Sequence, residues 1–287
     1  MANILSISSA VVYGHVGNSA AAFAMQALGH EVWQIPTVLL SHHPGHGRPF
    51  GRRTPGDEIL GYVKALEARG WLGRCDAIMS GYLAETDQGA AIAEAAGRVK
   101  QANPSALYLC DPILGDEDTG AYTSPEIADV VKELAGLADI VTPNLFELAV
   151  LAGEKPATTG DAIGLARTLK PGIVVLTSSF AAGGRIASLA VMRDQALRVE
   201  TRRHAKAQRG AGDLFAGLFL GALLLNTQSG AAQAGRGSPG EALALAAGVT
   251  ADIVGASLAA GRDELALAEF QGLMRLPDTH PVVEIVG

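Results

Sequence analysis

The sequence AQRGAGDLFAGLFL, residues 207–220, places two glycines and an aspartate directly before a long apolar run. The apolar run predicts a buried helix, and Gly210 and Gly212 lack the Cβ atoms that would hold an anion away from its start. The first N–H groups of a helix have no partners within it and can bind phosphate. Asp213 falls in the first turn, where the helix dipole favours a carboxylate able to accept a hydroxyl proton. These features suit phosphoryl transfer to an alcohol, although an ordinary capped helix start uses the same residue types.

Apolar runs alternate with helical patterns along most of the chain. Residues 4–7 predict a first strand and residues 20–28 a first helix, and the same order recurs downstream. Residues 186–192 and 197–200 predict an antiparallel hairpin at one edge. This alternation predicts an α/β fold with a doubly wound, mostly parallel central sheet and helices on both faces, formed by a single domain over residues 1–287. The glycine-rich segment 227–240 predicts a flexible connection between two helices.

Composition narrows the functional classes. Twenty-two basic and 29 acidic side chains give a net charge of −7, which argues against a broad nucleic-acid surface. Cys75 and Cys110, the two cysteines, lack zinc-site spacing and suit a reducing compartment. The N-terminus lacks the basic region of a signal peptide, and the apolar segments 214–225 and 242–258 are short or interrupted by Asp252. We therefore expect a cytoplasmic protein with neither a nucleic-acid nor a membrane partner.

Polar residues follow several predicted strands, where open α/β sheets bind their ligands. Ser9 follows the first strand and is either a ligand contact or a turn residue. Tyr82 is either a surface for a flat ligand or a core aromatic. Asp111 follows a buried strand and suits a magnesium site. Asn144 and Glu147 face the same side of a helix start, where they either bind a ligand or form a capping box.

Two polar loops are candidates for covers over the site. Residues 41–52, SHHPGHGRPFGR, contain three histidines among prolines and glycines, which permits either a metal site or a flap over the substrate. The flap is the better interpretation, because no carboxylate or cysteine lies at a useful spacing. Residues 116–122 predict either a lid or a solvated loop.

Over nearly its whole length, the chain resembles the pyridoxal kinases of the ribokinase-like superfamily. The segment VVYGHVGNSA, residues 11–20, resembles the amino-terminal signature of that family, and Ser9 precedes it. Further matches are SHHPG at 41–45, SGYL at 80–83, DPILGD at 111–116, TPNLFEL at 142–148 and GAGD at 210–213. The last three belong to the wider superfamily, whereas the earlier ones indicate the vitamin. The resemblance implies a three-layer ribokinase-like fold with a small flap and a kinase that uses ATP and Mg²⁺ to phosphorylate the 5′-hydroxyl of pyridoxal.

The resemblance also implies a role for each matching residue. Asp213 is the expected base, and Gly210, Ala211 and Gly212 form the anion hole. The residues expected to contact the vitamin, together with Asp213, are Ser9, Pro44, Gly45 and Tyr82. Asp111 and Glu147 are the expected magnesium ligands. The residues expected along the nucleotide are Asp111, Thr142, Asn144, Glu147, Thr177, Lys206, Gln208 and Arg209.

Three positions depart from the family pattern: Thr177, Ala211 and Arg209. Family members often carry a basic residue where Thr177 stands, and a hydroxyl or branched residue where Ala211 stands. Lys206 or Arg209 is a candidate replacement for the missing cation, and Arg209 takes the place of an apolar residue. Two alternatives therefore stay open: a kinase of another hydroxymethylated heterocycle, such as hydroxymethylpyrimidine, or of a small sugar alcohol, and a protein that holds pyridoxal phosphate without turnover. Related folds often pair, so a homodimer is expected.

Overall fold

A ten-stranded sheet forms the centre of the molecule in the computed structural model, which describes residues 1–205, 207–225 and 237–287. The strands of this sheet are β1 Asn3–Val11, β2 Glu31–Leu40, β3 Gly51–Arg53, β4 Ala77–Ser80, β5 Leu107–Cys110, β8 Ile140–Val141, β9 Ile173–Ser179, β10 Arg185–Val191, β11 Ala196–Arg202 and β12 Glu284–Ile285. Two further strands, β6 Gly115–Asp116 and β7 Gly120–Ala121, pair only with each other. The sheet order is β12-β11-β10-β9-β8-β5-β4-β1-β2-β3. The neighbours from β2 to β9 pair in parallel, whereas β3 and β10 to β12 are antiparallel at the two edges.

Helices cover both faces of this sheet. They are α1 Asn18–Ala27, α2 Gly56–Ala68, α3 Asp87–Ala102, α4 Pro125–Leu137, α5 Leu145–Ala152, α6 Thr159–Thr168, α7 Ala211–Leu224 and α8 Pro239–Ala259. One apolar core joins α1, α7 and α8 to the sheet, and the other joins α2 to α6. Successive strand residues point to opposite faces, so Ile4 lies in the first core and Leu5 in the second. The predicted doubly wound, mostly parallel fold is confirmed.

Three local expectations change. Ser9 does not follow the first strand but lies within it, because β1 extends to Val11. Residues 116–122 are not a simple loop, because β6 and β7 pair as a short antiparallel hairpin. Helix α8 begins at Pro239, earlier than the predicted 241, since the Ser238 side chain accepts a hydrogen bond from the Glu241 N–H in a capping box. Most of the predicted connection 227–240 lies outside the described residues, which resume at 237.

Helix α8 is long and apolar enough to span a membrane by length and composition alone. Half of its most apolar window is buried inside the protein. Leu243, Ala246 and Val249 belong to the core that α8 shares with α1 and α7. These contacts fit the predicted core helix.

The parallel strands bring their carboxyl ends to one edge of the sheet. Cys110 is the last residue of β5 and Val141 the last of β8, so Asp111 and Thr142 follow neighbouring strands. The fold thus brings together residues that are distant in sequence. They meet at the edge where open α/β sheets bind their ligands.

Candidate active site

The start of α7 presents unpaired backbone N–H groups. Gly210 is its N-cap, and the Gly210 carbonyl oxygen accepts from the Leu214 N–H at 2.8 Å. The N–H groups of Ala211 and Gly212 have no acceptor among the described residues. A Cβ atom added to Gly212 would meet nothing within 4 Å. This helix start therefore faces open space and can receive an anion.

The backbone conformation and close packing of Gly210 require a glycine at this position. Its φ is +88°, and an added Cβ would lie 1.9 Å from the carbonyl oxygen of His15. The missing side chain therefore allows a left-handed turn and close packing against residue 15, and it does not clear space for an anion. Both glycines were predicted to leave space for an anion, and the geometry fits this role for Gly212 but not for Gly210.

Asp213 lies in the first turn of α7 with a perturbed carboxyl. Burial raises its pKa to about 6, while hydrogen bonds from the backbone of Gly17 and from its own backbone act in the opposite direction. Gly17 in turn packs on Ser9, because an added Cβ there would lie 2.2 Å from the Ser9 hydroxyl oxygen. A carboxyl with this pKa is largely ionised at neutral pH and can still accept a proton.

Asp111 is a buried carboxyl beside Asp213. Burial raises its pKa to about 8, and the negative charge of Asp213 contributes to the shift. The Thr142 hydroxyl donates to Asp111 Oδ1 at 2.7 Å, which lowers the pKa in part. Asp111 Oδ2 has no hydrogen-bond partner in the part of the chain that the structure describes. The orientation of Asp111 is thus fixed through one oxygen, and the other stays available to a ligand.

Asn144 and Glu147 form the capping box that was one of the two sequence interpretations. The Asn144 side chain accepts from the Glu147 N–H at 2.9 Å, and Glu147 Oε2 accepts from the Asn144 N–H at 2.9 Å. Glu147 Oε1 accepts from the Leu114 N–H at 3.1 Å. Burial, followed by the charge of Asp111, raises the pKa of Glu147 well above its usual range. The box therefore holds a buried carboxyl beside Asp111, so the capping and ligand interpretations are compatible.

The donor chemistry of this pair suits a divalent cation. Carboxylate oxygens are the ligands that Mg²⁺ prefers. The Asp111 and Glu147 carboxyls are both buried, the charge of Asp111 raises the pKa of Glu147, and no basic side chain among the described residues offsets either charge. Among the described residues, no cluster of three or more His, Cys, Asp or Glu forms a complete metal site. Asp111 and Glu147 therefore fit a magnesium ion that keeps most of its ligands from water and phosphate.

The flap, residues 41–52, reaches the start of α7. Pro44 and Gly45 lie in a short 3₁₀ turn of residues 44–46 and are exposed. A Cβ on Gly45 would lie 2.2 Å from the guanidinium carbon of Arg209. Arg209 is also close enough to help lower the pKa of His43, although burial is the larger cause. The flap and the residues before α7 are therefore in contact at the open side of the site.

The remaining predicted residues lie at varying distances from this centre. Tyr82 is half-buried two residues beyond β4, and burial raises the pKa of its hydroxyl. The Thr177 N–H donates to the Pro143 carbonyl at 3.0 Å, beside the capping box. Gln208 is buried and donates to the Arg262 carbonyl at 3.2 Å, so its amide nitrogen is directed towards the C-terminal segment. Lys206 lies outside the described residues.

Sequence reasoning gave no role to two buried residues. Asn18 accepts from the Ser6 hydroxyl at 2.7 Å and donates to the Ser8 carbonyl at 3.1 Å, which ties the start of α1 to β1. Glu264 contacts the flap and the turn before α1. The glycines at 14 and 17 were the signal for a constrained turn here, whereas nothing in the local sequence marks Glu264.

Fold and site together define a phosphotransferase of the ribokinase-like class. A family model described as phosphomethylpyrimidine kinase matches residues 72–233. The pyridoxal kinase PdxY of Rubrobacter xylanophilus is 42% identical over 98% of this chain and 96% of its own length. The pyridoxal kinase PdxY of Deinococcus radiodurans is 38% identical over 96% and 93%.

A solved structure extends this likeness to three dimensions. The pyridoxal kinase of Leishmania donovani, in complex with ADP and pyridoxamine, superposes with a TM-score of 0.90 at 26% identity, over 99% of both chains. The chain belongs to the pyridoxal kinase family, as its sequence motifs predicted.

Proposed function

We propose that the protein transfers the γ-phosphoryl group of ATP to the 5′-hydroxyl of pyridoxal, with pyridoxal 5′-phosphate and ADP as products. The observation that carries this proposal is the Asp213 carboxyl in the first turn of α7, which lies near Asp111 and is hydrogen-bonded to the backbone of Gly17, the residue that packs on Ser9. A base, an anion-binding helix start and a cation-binding pair then share one opening. Family membership supports pyridoxal as the acceptor and ATP as the donor.

Asp213 is the proposed proton acceptor. The acceptor hydroxyl loses its proton to the Asp213 carboxylate as its oxygen bonds to the γ-phosphorus, and ADP departs with the electrons of the broken bond. The N–H groups of Ala211 and Gly212 stabilise the negative charge of the transferred group. Because the transition state of phosphoryl transfer is loose, in-line positioning and charge stabilisation matter more than base strength. A carboxyl with a pKa of about 6 is adequate for this role.

Asp111 and Glu147 are the proposed holders of Mg²⁺. When bound, the ion neutralises negative charge on the phosphates. Thr142 acts through Asp111, since its hydroxyl is hydrogen-bonded to that carboxyl. Asn144 acts through Glu147 in the capping box. Thr177, Gln208, Arg209 and Lys206 remain proposed nucleotide contacts, with Arg209 the proposed replacement for the basic residue absent at 177.

The vitamin is proposed to lie between β1, the end of β4 and the flap. Ser9 then contacts a polar edge of the ring, and Tyr82 packs on the ring face. Pro44 and Gly45 cover the acceptor and exclude water, which limits ATP hydrolysis.

The acceptor assignment is tested by a competition assay. Purified protein with MgATP is given equimolar pyridoxal, hydroxymethylpyrimidine and ribose, and each phosphorylated product is quantified. We expect pyridoxal to have a kcat/KM at least about a hundredfold above the others, since a site that pairs polar groups rejects ligands lacking them. A faster reaction with hydroxymethylpyrimidine, which the description of the family model favours, would overturn the assignment.

A second candidate is a protein that retains pyridoxal phosphate without turnover. It is favoured by Thr177 and Ala211, which replace residues typical of active relatives. Sustained ADP formation that requires both pyridoxal and Mg²⁺ would exclude it, whereas one bound equivalent of product without further turnover would support it.

The chain is proposed to act as one kinase domain in the cytoplasm, paired as a homodimer. Val12, Tyr13 and Phe50 are exposed apolar side chains, and backbone hydrogen bonds from Val12 to Leu40 and from Ser41 to Phe50 bring their segments together. A second copy would remove this apolar patch from water. Light scattering on the purified protein tests the assembly, and a Phe50→Lys variant is expected to shift it towards the monomer.

A further inference from the structure

Glu264 is a buried carboxyl that the proposed reaction does not use. It follows α8, and 8% of its surface is exposed. A buried carboxylate needs donors, because leaving it unpaired costs several kcal/mol. Within the described residues no lysine or arginine pairs with Glu264, so its donors come from other groups.

Those donors belong to two segments around the candidate site. Glu264 Oε1 is hydrogen-bonded to Nε2 of His46, whose side chain is 29% exposed at the tip of the flap. Glu264 Oε2 accepts from the backbone N–H of His15 at 3.3 Å. One carboxyl group thus joins the flap to the turn of residues 14–17.

Gly14 gives the carboxyl access to this turn. Its φ is +94°, and an added Cβ would lie 2.5 Å from Glu264 Oε2. The same turn contacts the reacting groups, because the His15 carbonyl packs on Gly210 and the Gly17 backbone hydrogen-bonds Asp213. Because these contacts hold the turn independently of Glu264, loss of the Glu264 carboxyl is expected to release the flap and leave the turn, the anion site and the base in place.

We propose that Glu264 is a positioning residue, which holds the flap closed against the turn 14–17 through its paired hydrogen bonds to His46 and His15. It touches no reacting atom. Its effect is to order the cover over the acceptor before the acceptor binds, so the binding step does not have to supply that ordering. The kinetic part of this proposal rests on the proposed pyridoxal kinase activity, whereas the structural part does not.

Kinetics of four variants test the role. We expect Glu264→Ala and His46→Ala to raise KM for pyridoxal by about tenfold or more, the size expected for loss of a charge-assisted hydrogen bond, with KM for ATP within about twofold. Glu264→Gln keeps an oxygen that accepts from the His15 N–H, and its amide NH₂ can donate to Nε2 of His46 in the other ring tautomer, so this variant should recover to within about threefold of the wild type. Glu269→Ala is the matched control, since this exposed residue of the same segment pairs with Arg262. Equal rises in both KM values, or no recovery in Glu264→Gln, would overturn the proposal.

Tryptic cleavage of the flap provides a test that does not need the acceptor to be known. Arg52, the last residue of the flap, and Arg53 lie in β3, so cleavage there requires β3 to detach from β2. We expect Glu264→Ala and His46→Ala to accelerate this cleavage at least about fivefold, and the double variant to resemble either single one, because the two residues act as a unit. Cleavage after the exposed Arg193 is the internal reference. Unchanged flap cleavage relative to Arg193 would overturn the proposal and leave the proposed kinase activity untouched.

Discussion

The Asp111 and Asp213 carboxyls, one after β5 and the other in the first turn of α7, lie near enough for the charge of Asp213 to raise the pKa of Asp111. The packing of α7 on the sheet brings them together, since they come from distant parts of the chain. The proposed cation-binding acid and the proposed proton acceptor thus lie close to each other. This juxtaposition is the physical basis of the proposed phosphoryl transfer, and the following predictions depend on it.

Replacing the proposed base should remove turnover and retain binding. Asp213→Asn keeps the shape of the side chain and abolishes its basicity, so we expect kcat to fall by several hundredfold or more, a size typical of general-base catalysis. ATP affinity, measured by calorimetry, should change little. A kcat near that of the wild type would remove Asp213 as the base.

Activity should decline on the acid side. Asp213 must be ionised to accept a proton, and its pKa is raised to about 6, so kcat/KM should fall as pH drops through about 6 and lose about tenfold per unit below it. Rates with both pyridoxal and pyridoxine serve as a control, because only an enzyme group gives the same midpoint with each. A profile that stays flat from pH 7.5 to about 5 would contradict this prediction.

Asp111→Asn should stabilise the protein while it inactivates it. The pKa of Asp111 rises from 3.8 to about 8 on folding, so the folded state binds its proton more tightly than the unfolded chain. Between these two pKa values, the free energy of unfolding therefore falls as the pH rises, because the buried carboxyl has to ionise. The amide of the variant does not ionise, so the variant does not lose this stability. Without Mg²⁺ and nucleotide, we expect a melting temperature higher than wild type by about 2 °C or more at pH 8, and a smaller difference at pH 5. A lower melting temperature at both pH values would contradict the shift.

Gly210 and Gly212 should respond differently to the same substitution. Gly210→Ala forces a Cβ against the His15 carbonyl at φ +88°, so we expect a loss of about 1–3 kcal/mol or more of stability. A Cβ at residue 212 meets nothing, so Gly212→Ala should melt close to wild type and lose activity instead. Thermal unfolding and ADP formation, measured on both variants, separate the two effects. Equal destabilisation would contradict the assigned difference.

The main elements of the fold were readable in the sequence because their signals are local. The apolar run 106–110 predicted a strand, and β5 forms over 107–110. Asn144 and Glu147 had the spacing of a capping box, which forms at the start of α5. The hairpin of β6 and β7 was missed, since two-residue strands have no measurable alternation. The His46 contact with Glu264 joins residues 218 apart, and only tertiary packing creates it.

The prediction of the site shows the same contrast between local sequence signals and contacts that only the folded chain makes. The motifs singled out Asp111 and Asp213, whose carboxyls lie close together in the structure. They did not reveal the geometric reason for Gly210, which depends on the distant carbonyl of His15. Local sequence likewise gave no indication that Arg209 lies against Gly45. Residue types and their order thus indicated the chemistry, whereas the contacts that hold the groups in place depend on the folded chain.

The central claim is tested most directly by product stoichiometry over many turnovers. Wild-type protein is incubated with excess pyridoxal and ATP, with and without Mg²⁺, and ADP and pyridoxal 5′-phosphate are quantified together. We expect equimolar products that accumulate far beyond one equivalent of protein only when Mg²⁺ is present. Accumulation that stops at one equivalent, or ADP formed without pyridoxal 5′-phosphate, would contradict the account.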